Sequence, residues 1–506
     1  MPSGPHREGE EPKPVMNELE KSDSCIVAEK PMNKFAPAEA ESVEPRRETK
    51  GNTAEAHMRR TQSRVSVELG LVRVRERAKA RKQEQFTNLL HHVTVDALRT
   101  SYYALKRNAA PGVDRVTWEQ YGEDLEASIE RLHGRVHRGG YRPQPSRRLS
   151  IPKEDGRRRV LGVAALEDKI LQGAVVNVLN AVYEQDFLGF SYGFRPGRNQ
   201  HDALDVLAYS IRNTAVNRVL DLDIQRFFDT LDQDWLMRFV EHRIGDKRIQ
   251  RLIRQWLKAG AIEDGQWQAT EKGTPQGGVA SPLLANIYLH YSFDLWANRW
   301  RRREARGNVT IVRYADDIVC GFQYQGDARR FQKALRERLE QFGLSMHPDK
   351  TRLVEFGRFA HQHRTVRGLG KPETFDFLGF KHICGRTREG KFLLRRKTRR
   401  DRMRATLKAL KEGLMLRRHL SIPEQGQWLG RVVRGYFAYH AVPTNRASLQ
   451  GFLHAVKRYW LRALKRRGQR HKTTWDKVAR LARAYLPTPR ARHPWPDARF
   501  RVKYSR

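Results

Sequence analysis

The sequence predicts an α+β protein, and three observations predict it. From Leu89 onward, apolar residues recur at helical spacing in long runs. Short strand-like segments interrupt those runs, chiefly RVLDLDIQRFFDTL around Val219 and Leu220, and TIVRYADDIVCGF. After Phe380 the charge rises steeply while leucines and aromatics keep a helical period. Helices against a mixed or antiparallel sheet, followed by a helical domain, meet all three conditions.

Taken in order, residues 1–60 read as a disordered N-terminal tail. The first fifty carry 11 acidic and 8 basic side chains and almost no aromatics, too little apolar surface to offset the ordering of the backbone. The polar, basic stretch 51–84 holds one apolar island, VSVELGLVRV, long enough for a short helix. In YGEDLEASIERLHGRVHRGG, Leu125, Ile129 and Leu132 share a helical face, and Gly139 and Gly140 provide the stop. A strand-like segment over about 148–163 precedes a second helix, LEDKILQGAVVNVLNAVYEQDF. Residues 381–506 hold 35 Lys and Arg against 6 Asp and Glu, yet MRATLKALKEGLML, WLGRVVRGYFAYH and LQGFLHAVKRYWLRALKR are periodic, which makes this a packed basic domain.

Composition narrows the function. Across 506 residues, 97 Lys and Arg against 57 Asp and Glu leave a formal charge of +40, which attracts polyanions and makes nucleic acid the expected partner. Three scattered cysteines, Cys25, Cys320 and Cys384, exclude a disulfide framework and a four-thiolate zinc site, and His361 and His363 lack a fourth ligand at useful spacing. The start has no basic-then-apolar leader and no run of 18 apolar residues occurs, so a cytoplasmic protein without a membrane partner is expected. No GxxxxGK[ST] accompanies the glycines, which disfavours an ATPase.

The chemistry lies in carboxylates. In IVRYADDIVCGF, two apolar strands flank Asp316 and Asp317 at a hairpin turn, and adjacent carboxylates most readily stay ionised beside a divalent cation. Ninety-three residues before Asp316, VLDLDIQRFFD places Asp221 and Asp223 on one strand face, so either can meet the hairpin. Three carboxylates without His or Cys form the oxygen-rich set that suits magnesium, and two such ions about 4 Å apart support nucleotidyl transfer. IPKEDGRRRVLG gathers Lys153, Arg157, Arg158 and Arg159 in a basic, strand-like segment. In TPQGGVASPLLANIYL, Gln276 is the contact residue and Gly277 and Gly278 permit close backbone approach.

The ordered series APGVD, IPKEDGRRRVLG, SYGFRPGRNQHDAL, DIQRFFD, TPQGGVASPLLANIYL, YADD, GLSMHPDKT and FDFLGF, from about Leu89 to Phe380, resembles the reverse transcriptases encoded by group II introns. The absence of a cysteine after Cys384 resembles the lineage without an endonuclease domain. The resemblance implies a right-hand polymerase. Fingers and an N-terminal extension would cover 61–210, the palm 211–385, a helical thumb or maturase domain 386–485, and a basic C-terminal tail 486–506.

It further implies an RNA-directed DNA polymerase that copies group II intron RNA by two-magnesium transfer, with manganese as a substitute ion, and that binds this RNA as a splicing maturase. Asp223, Asp316 and Asp317 become the metal ligands, and Phe228 the aromatic gate under the incoming sugar. Lys153, Arg159, Gln276, Gly277 and Lys350 would contact the nucleotide, and Arg195, Arg198, Arg434, Tyr436, Arg458 and Trp460 the nucleic acid. This sequence has Val160 where the family commonly follows the arginine with proline. The partners implied are structured intron RNA, an RNA template with a DNA primer, deoxynucleoside triphosphates and target DNA; no pattern fixes an oligomeric state. A splicing cofactor with little polymerase activity and a retron or defence-associated reverse transcriptase are the other readings.

Overall fold

The computed structural model describes residues 70–152, 158–263, 266–275, 277–468 and 473–499. The predicted tail over 1–60, residues 500–506, Lys153 and Gln276 lie outside the described residues. The apolar island supplies a helix over 70–80 whose Leu71, Val74 and Ala78 enter the largest core, at the i, i+3, i+7 spacing that puts side chains on one face. Buried Arg243 fastens the chain beyond it, pairing with Asp186 at 2.7 Å and donating to the carbonyls of Arg81 and Glu84.

The helix Leu125–His137 buries Ile129, Leu132 and Val136, and Gly139 follows it at φ +76, the left-handed stop that its sequence announces. Strands β1 (Ser146–Pro152) and β2 (Arg158–Val163) pair antiparallel, opposing Leu149 to Leu161. The helix Leu166–Tyr183 comes next, apolar at most positions and buried over most of its length. Capped by Asn199 and Asp202 in a reciprocal box, the helix Gln200–Asn213 delivers the chain to β3 (Arg218–Asp223). The short strands β4 (Ala261–Glu263) and β5 (Gln266–Gln268) join the first pair in a sheet of order β2-β1-β4-β5.

A second sheet, of order β6-β7-β3-β8, forms the palm from β3, β6 (Val309–Tyr314), β7 (Asp317–Phe322) and β8 (Arg352–Glu355), with each neighbouring pair antiparallel. Period-two alternation sorts its side chains. Leu220, Leu222, Ile311, Ile318 and Cys320 enter the largest core, and Val219, Val312, Val319 and Val354 enter a second core on the other face. By the same alternation, Asp221, Asp223 and Asp317 belong to the second face.

The second core is shared with a three-stranded sheet, β9 (Thr374–Phe377), β10 (Phe380–Arg386) and β11 (Phe392–Thr398), in the order β11-β10-β9. The helical region therefore begins at Arg400 and not at 386, because β10 and β11 pair over seven residues and keep the chain extended to Thr398. Helices Arg400–Leu416, Ile422–His440, Arg446–Lys465 and Trp475–Tyr485 enclose a third core of their own.

Buried polar contacts join this helical domain to the third sheet. Asn445 accepts from the Thr398 backbone N–H at 3.0 Å and donates to Thr398 Oγ1 and the His440 carbonyl, while Thr444 accepts from the Arg396 N–H. Residues 486–499, read from sequence as a basic tail, run back over the body. Arg499 pairs with Asp205 at 2.8 Å, and Asp497 with Arg212 at 2.6 Å. No helix among the described residues is long and apolar enough to cross a membrane. Asn445→Ala strands a buried N–H, and an equilibrium urea titration is expected to show about 1–3 kcal/mol of lost stability.

Candidate active site

Hairpin geometry brings the acidic motifs together. Tyr314 ends β6, Ala315 and Asp316 make the two-residue turn, and Asp317 opens β7 opposite Tyr314. Ala315 has φ +56, the positive value that primed hairpin turns require at their first central residue. On its other side β7 pairs with β3, and that register sets Asp223 directly opposite Asp317. The two halves of the sequence argument, the strand with alternating carboxylates and the YADD hairpin, therefore meet end to end on one sheet.

Their electrostatics reflect this crowding. Burial, with Asp316 and Asp223 adding repulsion, lifts the Asp317 carboxyl to about 6. Asp317 has an accessible surface, but it lies on the floor of a cleft where protein crowds it on most sides. Burial lifts Asp221 further, to about 7, against the pull of the Arg352 cation. Asp223 has a counter-charge: Lys350 Nζ lies 3.0 Å from its Oδ2. The HPDKT turn is anchored to the same residue, because the His347 N–H donates to the Asp223 carbonyl at 2.8 Å.

No three His, Cys, Asp or Glu side chains among the described residues already close around one point. The donor set nevertheless fits a hard divalent cation. Asp223, Asp316 and Asp317 offer only oxygen, and their mutual repulsion is what such an ion relieves. Beside them a cavity of about 400 Å³ opens between the palm sheet, the β9–β10 turn and the helix Arg400–Leu416. Asp221, Asp317, Asp376, Arg399, Arg402 and Tyr439 line it, so acidic and basic walls face each other where a nucleic-acid end can enter. Leu378 and Gly379 form the β9–β10 turn at φ +46 and +78, and Tyr439 Oη donates to the Leu378 carbonyl at 2.8 Å.

Other residues singled out by sequence occupy varied places. Arg159 lies opposite Ile151 in the β1–β2 pair. Phe228 is half-buried against fully buried Phe227, which leaves Phe228 as the one with a face toward the surface. Gly277 has φ +110, and a Cβ there would stand 2.7 Å from the Gly162 carbonyl of β2, so the glycine is required by this close approach. Arg434 and Arg458 are exposed on their helices, where phosphate can reach them.

Four residues turn inward instead, which corrects the reading of them as nucleic-acid contacts. Arg195 is buried against Glu184 at 2.9 Å and donates to the Leu188 and Ser191 carbonyls. Arg198 donates to the carbonyls of Gly189 and Ser191, and burial lowers its pKa to about 10. Tyr436 stacks on Phe452 with ring centres 3.7 Å apart, and Trp460 lies in the third core, donating to Gln425 at 3.0 Å. Sequence reasoning also passed over Arg313, Asn286 and Asp294 behind the hairpin; the signal available was a cation, Arg313, inside the apolar strand IVRY.

Comparison with known proteins fits this geometry. Residues 151–382 match the family described as reverse transcriptase (RNA-dependent DNA polymerase). Protein YkfC of Escherichia coli is 35% identical over 293 residues, covering 51% of this chain and 76% of the relative. Group II intron-encoded protein LtrA of Lactococcus lactis is 34% identical over 222 residues, 44% of this chain and 37% of the relative. Nuclear intron maturase 4, mitochondrial, of Arabidopsis thaliana is 25% identical over 226 residues, 42% of this chain and 26% of that protein. The chain thus spans three quarters of the first relative and about a third or less of the other two.

The raised carboxyl of Asp221 has a consequence for stability. Its folded pKa of about 7 lies above the ordinary 3.8, so its contribution is fully present below pH 3.8 and is lost as pH rises through 7. Asp221→Asn removes that loss. In chelator, the variant should already be the more stable at pH 5, and its advantage in thermal melting should grow as pH rises and be near its full size at pH 8.

Proposed function

Because the chain belongs to the reverse transcriptase family, in the branch of group II intron-encoded proteins and intron maturases, we propose that it copies intron RNA into DNA and binds that RNA during splicing. The observation that carries this reading is the register of β3 on β7, which sets Asp223 against the Asp316–Asp317 turn beside an open cavity. Asp223, Asp316 and Asp317 would hold two magnesium ions. Such ions supply activation of the primer 3′-hydroxyl and stabilisation of the leaving pyrophosphate.

The chain's own residues account for the remaining work. Lys350 neutralises Asp223, and where an ion is held there its ammonium would be free to meet nucleotide phosphate. Half-buried Phe228 would exclude a ribose 2′-hydroxyl by contact, which favours deoxynucleotides. Arg159 of β2, with Lys153 by the sequence argument, would meet the triphosphate, and Gln276 and Gly277 would meet the nucleotide. The acidic and basic walls of the cavity orient the primer end toward Asp317, and water is displaced from the cleft as the duplex enters.

Splicing asks only for binding surface. The structured RNA, the primed template and the target DNA share a phosphate backbone that meets the exposed cations of the helical domain, Arg434 and Arg458 among them. A protein of this charge without a spanning helix among its described residues suits the bacterial cytoplasm or nucleoid.

The two activities separate by mutation. Asp316→Ala or Asp317→Ala should abolish primer extension on an RNA template with magnesium, while filter binding of intron RNA stays within twofold; an equal fall in both would refute the division of roles. Arg458→Ala should weaken RNA binding and reduce its salt slope by about one phosphate contact, which titrations across salt concentrations read directly.

A further inference from the structure

Arg313 stands between Val312 and Tyr314 in β6 and is fully buried, an unusual place for a guanidinium. All three of its nitrogens donate hydrogen bonds. Nε and Nη2 donate to the two carboxylate oxygens of Asp294 at 2.7 and 2.6 Å, and Asp294 is equally buried. Nη1 donates to Asn286 Oδ1 at 3.0 Å and to the carbonyl of Ala315 at 3.1 Å. Ala315 is the positive-φ residue of the carboxylate turn, so the arginine grips the turn at its most strained point.

The grip extends to a second segment. Asn286 Nδ2 donates to the Gly193 carbonyl at 2.7 Å, and the backbone of Arg313 exchanges hydrogen bonds with Phe190 and Tyr192 at 2.9 and 2.8 Å. A Cβ on Gly193 would lie 2.2 Å from the Ala315 nitrogen, so only glycine allows the two segments to approach so closely. The next residue, Phe194, sits at φ +58 with 53% of its surface exposed, and its ring lies 6.4 Å from that of Tyr314.

Helix irregularity aligns the two anchors. Asn286 and Asp294 are eight residues apart on one continuous helical run, an offset of about 80° on a regular α-helix. A single π-turn, His290–Asp294, interrupts that run. The extra residue it absorbs cancels about one step of rotation and brings both side chains onto the face that meets Arg313.

We propose that Arg313, Asp294 and Asn286 are positioning residues that hold the Ala315–Asp316 turn in one conformation and tie it to the 190–194 segment. The metal carboxylates and the exposed Phe194–Tyr314 surface then keep a fixed spacing as nucleic acid moves past. None of the three touches substrate; each acts through the turn. The activity arm of the test rests on the polymerase reading given above.

The decisive variant is Arg313→Met with Asp294→Leu, which replaces a buried ion pair by apolar side chains of similar volume and so is compatible with a folded core. Three readouts accompany it: thermal melting in chelator, binding of Mn²⁺ followed by the paramagnetic signal of the free ion, and kcat and KM for primer extension. Expected are a melting temperature within a few degrees of the parent, Mn²⁺ affinity about tenfold weaker, kcat about 100-fold lower and an unchanged KM for primer–template, the scale of loss that a displacement of about 1 Å produces. Asn286→Ala, which keeps the ion pair, should give part of the same loss in kcat.

Unchanged Mn²⁺ affinity and kcat in the double variant would overturn the proposal and leave the pair a packing device. A parallel collapse of melting, Mn²⁺ affinity and primer–template binding would overturn it as well. If the parent binds Mn²⁺ but makes no DNA, the polymerase reading fails, and the Mn²⁺ comparison still decides the role of the pair.

Discussion

Pairing of β3 with β7 sets two carboxylates, Asp223 and Asp317, directly across an antiparallel ladder. Like charges so placed destabilise a sheet, and more so where protein displaces water. The ladder holds because β3 and β7 are the two central strands of the palm sheet, with apolar side chains buried on both faces. Slippage by one residue would send every one of those side chains to the wrong core. The burial that fixes the register is therefore also what forces the carboxylates together. Burial, with repulsion from Asp316 and Asp223 added to it, raises the pKa of Asp317, and the ammonium of Lys350 is drawn onto Asp223. A divalent cation resolves the same conflict more completely, which links the fold's main constraint to its chemistry.

The ladder positions the strands but not the turn between them. Ala315 and Asp316 project beyond the paired region, where backbone conformation depends on neighbours. The neighbour is the buried fork of Arg313, whose contact with the Ala315 carbonyl joins the turn to a helix otherwise remote from the site. A buried ion pair adds little net stability, because desolvation cancels most of the attraction. Its consequence here is geometric: the fork admits one arrangement of Asp294, Asn286 and the turn.

Much of this was legible in the sequence, for identifiable reasons. The carboxylates of YADD within IVRYADDIVCGF, and of DLD within VLDLDIQ, are flanked by apolar strand, which leaves little freedom in where they go. The α+β class, the helix Leu125–His137 with its glycine stop and the basic helical domain followed from periodicity. The strand pair β10–β11 was hidden because FLLRRKT carries charge on its outer face and sits beside helical sequence. Arg195 could not be told from a phosphate ligand, since its partner Glu184 lies on the preceding helix end and only the fold brings them together. Tyr436 and Trp460 belong to helices that are basic on one face and aromatic on the other, and composition alone does not say which face looks inward. Arg313 was the readable exception: a cation in an apolar strand requires a buried anion.

Charge is the last term to place. The 35 basic residues beyond position 380 have only 6 acidic residues within that region to meet them. Several of those acids are already engaged: Asp401 with Arg399, Asp497 with Arg212, and Glu424 in the cap formed with Ser421. The helical domain joins the third sheet through buried Asn445 on Thr398, and Arg396 of that sheet, together with Arg499, pairs with Asp205 of the helix Gln200–Asn213. Self-repulsion in such a domain falls when polyanion covers it, so RNA binding and the stability of the domain are thermodynamically linked. The carboxylate site lies in the palm sheet, where Arg399 and Arg402 share a cavity with Asp317. On the proposed reading, RNA would neutralise exposed cations such as Arg434 and Arg458, and a metal ion would neutralise Asp223, Asp316 and Asp317, so one chain would hold both.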